Sequence, residues 1–202
     1  MKKIPVNSKI LLKQQFIYLA LICDDAKPWQ FQEADIALKD LIVPRILMVN
    51  REDGLLGFVG GAVFEGEMID EALRRTANEE IGYILDSRFD IEPVVAHELD
   101  SYTTHIFMQK MPFTFLQEIH RQTIMGEEYG KSIIGSQLPH LYDYDGLFKK
   151  GGGLINLIAN NCLAPSVREE LVHVLLLHNI CSIDILSDVC IRSGYKLTEL
   201  MQ

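Results

Sequence analysis

Residues 60–83 read GGAVFEGEMIDEALRRTANEEIGY, and this stretch decides the fold. It opens on a glycine pair, which lets the backbone approach a ligand closely and expose a carbonyl to it. From Asp70 to Ile81, spacings of three and four residues separate Ala72, Leu73, Thr76, Ala77 and Glu80, which predicts a helix. Asp70 is the expected N-cap, and Gly82 follows the last turn, where a glycine commonly ends a helix. The stretch therefore predicts a glycine loop that enters a short helix.

The predicted helix carries carboxylates near its end. Thr76 and Glu80 are four residues apart and share one face, with Glu79 beside them. Carboxylate and carbonyl oxygens beside a glycine loop suit Mg²⁺ or Mn²⁺, which take hard oxygen ligands and bridge phosphates. Such an ion polarises a phosphoryl oxygen and lowers the pKa of bound water. The alternative is a pair of solvated surface charges, because glutamates are mostly exposed.

The stretch resembles the Nudix box, G-x5-E-x7-R-E-U-x-E-E-x-G-U, in which U is a bulky aliphatic residue. Six fixed positions are matched at the family's spacing, by Gly61, Glu67, Arg75, Glu79, Glu80 and Gly82. With each residue type at about 5–7% of positions, six matches have a chance probability on the order of 10⁻⁷ per window. The resemblance implies the α/β Nudix fold, an α/β/α sandwich in which a mixed β-sheet lies between helices.

The chain departs from the box at Thr76, where the family has a glutamate that is usually a metal ligand. Ala77 and Tyr83 occupy the two positions of bulky aliphatic residues. Glu67 offers another carboxylate for a metal, and the Thr76 hydroxyl is a candidate to hold a metal-bound water. Arg75 is expected to orient the glutamates by ion pairing.

The resemblance extends to one branch of the family, the small-nucleolar-RNA-decapping and inosine-diphosphatase enzymes. Residues 51–61, REDGLLGFVGG, resemble the strand and loop that precede the box in this branch. The C-terminal part of the branch is similar to residues 152–154, 160–161 and 166–171. The branch implies inosine or deoxyinosine di- and triphosphates, ADP-ribose-like compounds or capped RNA as substrates. Dimers are common in it, so a homodimer is one expected assembly.

The same resemblance implies the binding residues. Residues at the positions of Tyr18, Arg51 and Phe58 line the base and phosphate pocket of the branch. The late helix contributes Glu170 to substrate binding. His173 stands where the branch has a carboxylate, which makes it a candidate metal ligand, although a packed or surface histidine is the simpler interpretation.

The predicted site is a metal centre on the box. The Gly60 carbonyl, Glu79 and Glu80 are expected to hold Mg²⁺ or Mn²⁺, with Gly61 in support. Glu80 is the first-choice ligand, and Glu79 is either ligand or base. The competing hypothesis is a catalytically weak Nudix domain that binds a nucleotide, an RNA end or a protein.

Composition narrows the function classes further. The formal net charge of −9 gives no general attraction for nucleic acid, so small nucleotides rank above long RNA as substrates. The four cysteines form no CxxC pair, which disfavours a zinc cage or a disulfide scaffold. No apolar run approaches the roughly 18 residues of a membrane span. A cytoplasmic or nuclear protein with no membrane partner is the expectation.

The rest of the chain is predicted to form one domain over residues 1–202, with a helical extension from about residue 164. Strands are predicted at residues 16–23, 43–49, 93–96 and 105–108, and residues 55–59 are expected to pair back on the second of these. Residues 24–39 are predicted to be an exposed loop. Ser166 and Glu169 form a capping-box pattern before one late helix, and residues 183–191 are predicted to form another. Residues 126–131 are either a mobile lid with a metal-binding acid or, as we favour, an acidic surface turn.

Overall fold

The computed structural model describes residues 2–4, 13–26, 42–141 and 153–201, so most of the predicted loop at residues 24–39 lies outside the described part. Eight strands are present there: β1 Lys2–Ile4, β2 Gln14–Cys23, β3 Arg45–Arg51, β4 Leu56–Gly57, β5 Val59–Ala62, β6 Ile91–Glu98, β7 Tyr102–Lys110 and β8 Ile133–Gln137. The helices are α1 Ile69–Ile81, α2 Phe113–Gln122, α3 Gly153–Ile158, α4 Val167–Leu177, α5 Ile183–Arg192 and α6 Leu197–Leu200, with a 3₁₀ turn at Thr123–Met125. All four predicted strands are confirmed; three have wider bounds, whereas β3 has the predicted length but is shifted by two residues toward the C-terminus. The helix predicted at 183–191 is confirmed as α5.

The strands form one mixed sheet in the order β1-β6-β7-β2-β3-β4, with β5 also paired to β2 and β8 to β3. The β2–β7 pair is parallel, and the other pairs are antiparallel. The expected pairing of residues 55–59 with the strand before them is confirmed, since Gly57 of β4 pairs with Val49 of β3. The pairing of β2 with β5 places Gly60 opposite Tyr18.

The sheet is covered on both faces. Successive residues of β2 point to opposite sides, so Leu19 and Leu21 join the core beneath α1 and α2, while Ala20 and Ile22 join the core beneath α4 and α5. Leu186 of α5 is fully buried in the latter core. This two-sided burial confirms the expected α/β/α sandwich.

Two predicted helix starts differ from the structure. The N-cap of α1 is Met68 rather than Asp70: Met68 has an extended backbone, and its N–H donates to the Glu71 carboxylate at 2.9 Å. Ser166 is the N-cap of α4 as predicted, but its backbone is left-handed, with φ of 68°, and its side chain caps no backbone N–H. The predicted capping box is therefore wrong, because the Ser166 hydroxyl donates to the Glu170 carboxylate instead.

No helix in the described ranges is long and apolar enough to cross a membrane.

Candidate active site

Arg75 links α1 to the loop at residues 62–68 that precedes it. Its Nε and Nη2 donate to the two Glu67 oxygens at 2.7 and 3.0 Å, and its Nη1 donates to Glu79 at 2.8 Å. Nη2 also donates to the Ala62 carbonyl at 2.8 Å, and the guanidinium stacks 3.9 Å from the centre of the Phe64 ring. One arginine thus fixes both carboxylates and the loop backbone by charge-assisted hydrogen bonds.

Glu67 is fully engaged by this arrangement. Besides Arg75, its carboxylate accepts the backbone N–H of Phe64 at 2.9 Å. The Arg75 hydrogen bonds, reinforced by that N–H, hold the pKa of Glu67 below its ordinary value. The structure therefore places Glu67 in a clamp on Arg75, and its role as a metal ligand stays a prediction that this geometry does not favour.

Glu80 reaches from α1 back to the glycine pair. Its Oε2 accepts the Gly60 N–H at 2.8 Å. Gly60 has φ of 148°, and a Cβ there would lie 2.1 Å from the Ile17 carbonyl oxygen, so only glycine fits this close approach to β2. Burial raises the pKa of Glu80 to about 8; the Gly60 N–H and Arg51 oppose the shift, and Glu128 and Glu79 reinforce it. Glu80 is a half-buried, desolvated carboxylate whose charged form a nearby cation would stabilise.

Thr76 does not offer its hydroxyl to this group. The side chain is buried, and Oγ1 donates to the Ala72 carbonyl one turn back at 2.9 Å. The hydroxyl proton is thus committed to the helix backbone, while the oxygen can still accept a hydrogen bond, so the role of Thr76 in holding a metal-bound water stays a prediction. Within the described ranges, no cluster of three or more His, Cys, Asp or Glu residues could enclose a metal ion.

The turn at residues 126–131 docks on the end of α1. The Glu128 N–H donates to the Glu79 carbonyl at 2.8 Å, and a Cβ on Gly126 would lie 2.5 Å from the Glu80 carbonyl oxygen. The Glu128 carboxylate accepts from the Ser132 hydroxyl at 2.9 Å and raises the pKa of Glu80 by charge repulsion. The favoured prediction of an acidic surface turn gives no indication that this turn brings Glu128 close to Glu80. The only sequence signal was a pair of acids after a glycine.

A cavity of about 110 Å³ opens beside Glu80, and we call it the Glu80 cavity. It is lined by Val49, Arg51, Glu52, Phe58, Gly60, Glu80, Ser132 and Ile133. Four residues expected at the site are thus brought together: Arg51, Phe58, Gly60 and Glu80. Whole ligand pockets usually enclose about 300–1,000 Å³, so this cavity matches one end of a ligand.

Tyr18 lies between the Glu80 cavity and α4. Burial is the main cause that raises the pKa of its hydroxyl; the charge of Glu170 adds to the shift and Arg51 opposes it. Glu170 is fully buried, and burial raises its pKa to about 8 although the Ser166 hydroxyl donates to Oε1 at 2.9 Å. Its other oxygen has no hydrogen-bond partner among the described residues.

His173 is placed elsewhere. Its Nδ1 lies 2.7 Å from the Glu169 carbonyl oxygen, and its ring meets the ring of His97 edge-on, with centroids 5.1 Å apart. Within the described part of the chain, no contact joins His173 to Glu79 or Glu80. Its role as a metal ligand stays a prediction.

Comparisons with known proteins bear on the family and the fold. A family model described as Nudt16-like, U8 snoRNA-decapping enzyme-like, matches residues 31–181. The U8 snoRNA-decapping enzyme of Xenopus laevis is 25% identical over 164 residues, which cover 78% of this chain and 73% of the relative. That of Homalodisca vitripennis is 33% identical over 101 residues, which cover 48% of this chain and 54% of the relative. Among solved structures, a mutT/nudix family protein from Listeria innocua aligns with TM-score 0.52 at 13% identity, covering 83% of this chain and 94% of that one, which supports the fold.

Proposed function

This chain belongs to the Nudt16-like family, the U8 snoRNA-decapping enzyme-like group of Nudix proteins, and we propose that it is a Mg²⁺- or Mn²⁺-dependent hydrolase of nucleoside diphosphate derivatives. The family supports hydrolysis of a phosphoanhydride bond in a nucleotide or an RNA cap. The observation that carries the proposal is the position of Glu80, a half-buried carboxylate that accepts the Gly60 N–H at the wall of a cavity that Arg51 also lines.

The donor set fits a hard divalent cation. The Gly60 carbonyl, Glu79 and Glu80 would hold the ion, because all three offer oxygen and a cation would offset the cost of keeping the desolvated Glu80 carboxylate charged. When bound, the ion neutralises diphosphate charge and polarises the phosphoryl oxygen. Glu79 lies in an ion pair with Arg75 at 2.8 Å, which fixes its direction.

The remaining residues bind and orient the substrate. Arg51 offers a guanidinium to a phosphate at the cavity wall, where its charge stabilises the transferring group. Tyr18 and Phe58 supply aromatic surface for the base, and Glu170 supplies a buried polar group behind Tyr18. A glutamate accepts the proton of the attacking water, and Glu79 is our candidate because Glu80 is the first-choice metal ligand.

Small nucleotides are the proposed substrates. The net charge of −9 opposes the approach of long RNA, whereas a metal ion reverses the field locally for a short diphosphate. Inosine, deoxyinosine and ADP-ribose-like diphosphates therefore rank above capped RNA, which is the substrate that the names of the relatives indicate.

The test is hydrolysis of a panel by the purified chain with Mg²⁺ or Mn²⁺. The panel contains inosine, guanosine and adenosine di- and triphosphates, ADP-ribose and a capped RNA oligomer. We expect metal-dependent turnover of at least one small nucleotide, and a loss on the order of a hundredfold or more in Glu80→Gln, because electrostatic stabilisation of phosphoryl transfer depends on the ion that Glu80 holds.

Glu118→Gln is the matched control, since Glu118 is an exposed glutamate on α2 whose partners among the described residues are its own helix neighbours. Its turnover should equal that of the wild type. A folded wild-type chain that turns over no member of the panel would contradict the proposal and favour a binding module.

A further inference from the structure

Arg51 is gripped by a carboxylate that the proposed mechanism does not use. Its Nε donates to both oxygens of Asp53 at 3.2 and 3.3 Å, and its Nη2 donates to Oδ2 at 3.0 Å. Within the described ranges no hydrogen bond is made by Nη1. One edge of the guanidinium is thus occupied by Asp53, and one nitrogen is left to a ligand.

Asp53 is itself fixed by the turn after β3. Its Oδ1 accepts the Leu55 N–H at 3.0 Å, and the Gly54 N–H closes the turn on the Arg51 carbonyl at 3.0 Å. The Arg51 stem lies over Gly57, where a Cβ would be 3.6 Å from the Arg51 Cδ. Backbone and side chain together set the direction in which Arg51 enters the Glu80 cavity.

Without Asp53, the Arg51 guanidinium could pair with other carboxylates. The Glu80 cavity is also lined by Glu52, and Glu80 already feels the charge of Arg51, which lowers its pKa. Glu128 acts on Glu80 from the other side. A released Arg51 is therefore drawn toward the carboxylates that would hold the cation, where it competes with the metal and no longer faces the phosphate.

We propose that Asp53 is a positioning residue that holds Arg51 side-on, keeps it off Glu80 and presents Nη1 to the diphosphate. The proposal rests on the proposed function for the identity of the ligand. Asp53 acts through Arg51 and touches no substrate. Both side chains are more than two-fifths exposed, at 44% and 41%, so the effect is on ligand affinity and is modest in size.

The test is a titration of the full chain with inorganic pyrophosphate in the presence of Mn²⁺, followed by calorimetry. In Asp53→Asn the amide oxygen can still accept the Leu55 N–H, so the turn is kept while the ionic grip on Arg51 is lost. We expect pyrophosphate affinity to fall by roughly threefold to tenfold, as for the loss of one exposed bidentate pair. Asp53→Glu should recover part of the loss.

Asp86→Asn is a close control, because Asp86 grips Arg88 in the same way, through Nε and Nη2, at a site outside the Glu80 cavity. It should leave pyrophosphate affinity unchanged. In an Arg51→Ala background, Asp53→Asn should have no further effect, since a positioning residue has nothing left to position. On any substrate that is turned over, Asp53→Asn should raise KM and leave kcat nearly unchanged.

The proposal is overturned if Asp53→Asn binds pyrophosphate as the wild type does, if it weakens binding equally in the Arg51→Ala background, or if the wild type binds no pyrophosphate. The assay needs no turnover. A wild type that binds pyrophosphate in an Asp53-dependent way but cleaves no nucleotide would support the positioning role and contradict the proposed hydrolase, so the two failures are distinct.

Discussion

Thr76 is the residue whose replacement tests the missing ligand most simply. Its Cγ2 lies 3.6 Å from the position of a Cβ on Gly61, so a longer side chain at 76 would extend toward the glycine pair. We expect Thr76→Glu to lower the Mg²⁺ concentration for half-maximal turnover by about tenfold, because affinity for such ions rises with the number of charged oxygen ligands.

Thr76→Gln has nearly the same size without the charge and is the control. If both variants need as much Mg²⁺ as the wild type, position 76 is not a lost ligand position. An equal gain in the two variants would assign the effect to packing.

Glu170 gives a stability prediction that depends on pH. Burial raises its pKa from 4.5 to about 8 in the folded chain. A group with a raised folded pKa stabilises the fold fully below its unfolded pKa, and this contribution is lost as pH rises through the folded value. Between about pH 4.5 and about pH 8, the melting temperature of Glu170→Gln should therefore rise relative to that of the wild type. A difference in melting temperature between the two proteins that stays constant across this pH range would contradict the buried position of the carboxylate.

At this scale the spacing of the box predicts where the backbone carries each carboxylate, but not which partner each one takes. Glu67, Glu79 and Glu80 lie at the family's positions, yet Glu67 is bound by Arg75 and Glu80 by the Gly60 N–H. Hydrogen-bond choice depends on side-chain direction and on competing donors from other elements. Asp53 lies in the stretch at residues 51–61 that resembles the branch, but the resemblance assigns it no role, so only its hydrogen bonds with Arg51 in the folded chain indicate one.

At the scale of elements, the turn at residues 126–131 must fit closely against the end of α1. Gly126→Ala would place a Cβ 2.5 Å from the Glu80 carbonyl oxygen, although the φ of Gly126, −64°, suits alanine. We expect a destabilisation of about 1–3 kcal/mol in urea unfolding, the usual cost of overpacking, with lower activity because Glu128 and Glu80 shift apart.

Gly135→Ala on β8 is the control, since its Cβ would meet only the Asn50 amide at 3.5 Å, an ordinary contact. Equal unfolding midpoints for the two variants would show that the turn does not depend on this close approach.

A continuous apolar run predicts β2, which is buried on both faces, and the three- and four-residue spacing predicts α1, whose buried residues recur at that spacing. Residue type alone misplaces the start of α1 by favouring Asp70 as N-cap. Met68 caps instead because its extended backbone and the Glu71 carboxylate satisfy the first turn, a reciprocal contact that residue type alone does not reveal.

At the scale of the whole molecule, the box motif predicts the fold, which the composition alone does not. Forty-eight per cent hydrophobic residues suffice for a packed core of any class, whereas the box implies the mixed sheet that the structure confirms. The parallel pairing of β2 with β7 joins residues more than 80 positions apart, such as Tyr18 with Ile106, which no local pattern indicates. The net charge of −9 still bears on function, because a cation must offset it wherever a diphosphate binds.

The most direct measurement of the central claim is Mn²⁺ binding by electron paramagnetic resonance, on the wild type, Glu80→Gln and Glu118→Gln. We predict a Mn²⁺ site in the wild type and in Glu118→Gln, weakened by at least about tenfold in Glu80→Gln, because a carboxylate ligand is replaced by a neutral amide. Equal Mn²⁺ binding in all three proteins, or none in the wild type, would contradict a metal centre built on Glu80 and the Gly60 carbonyl.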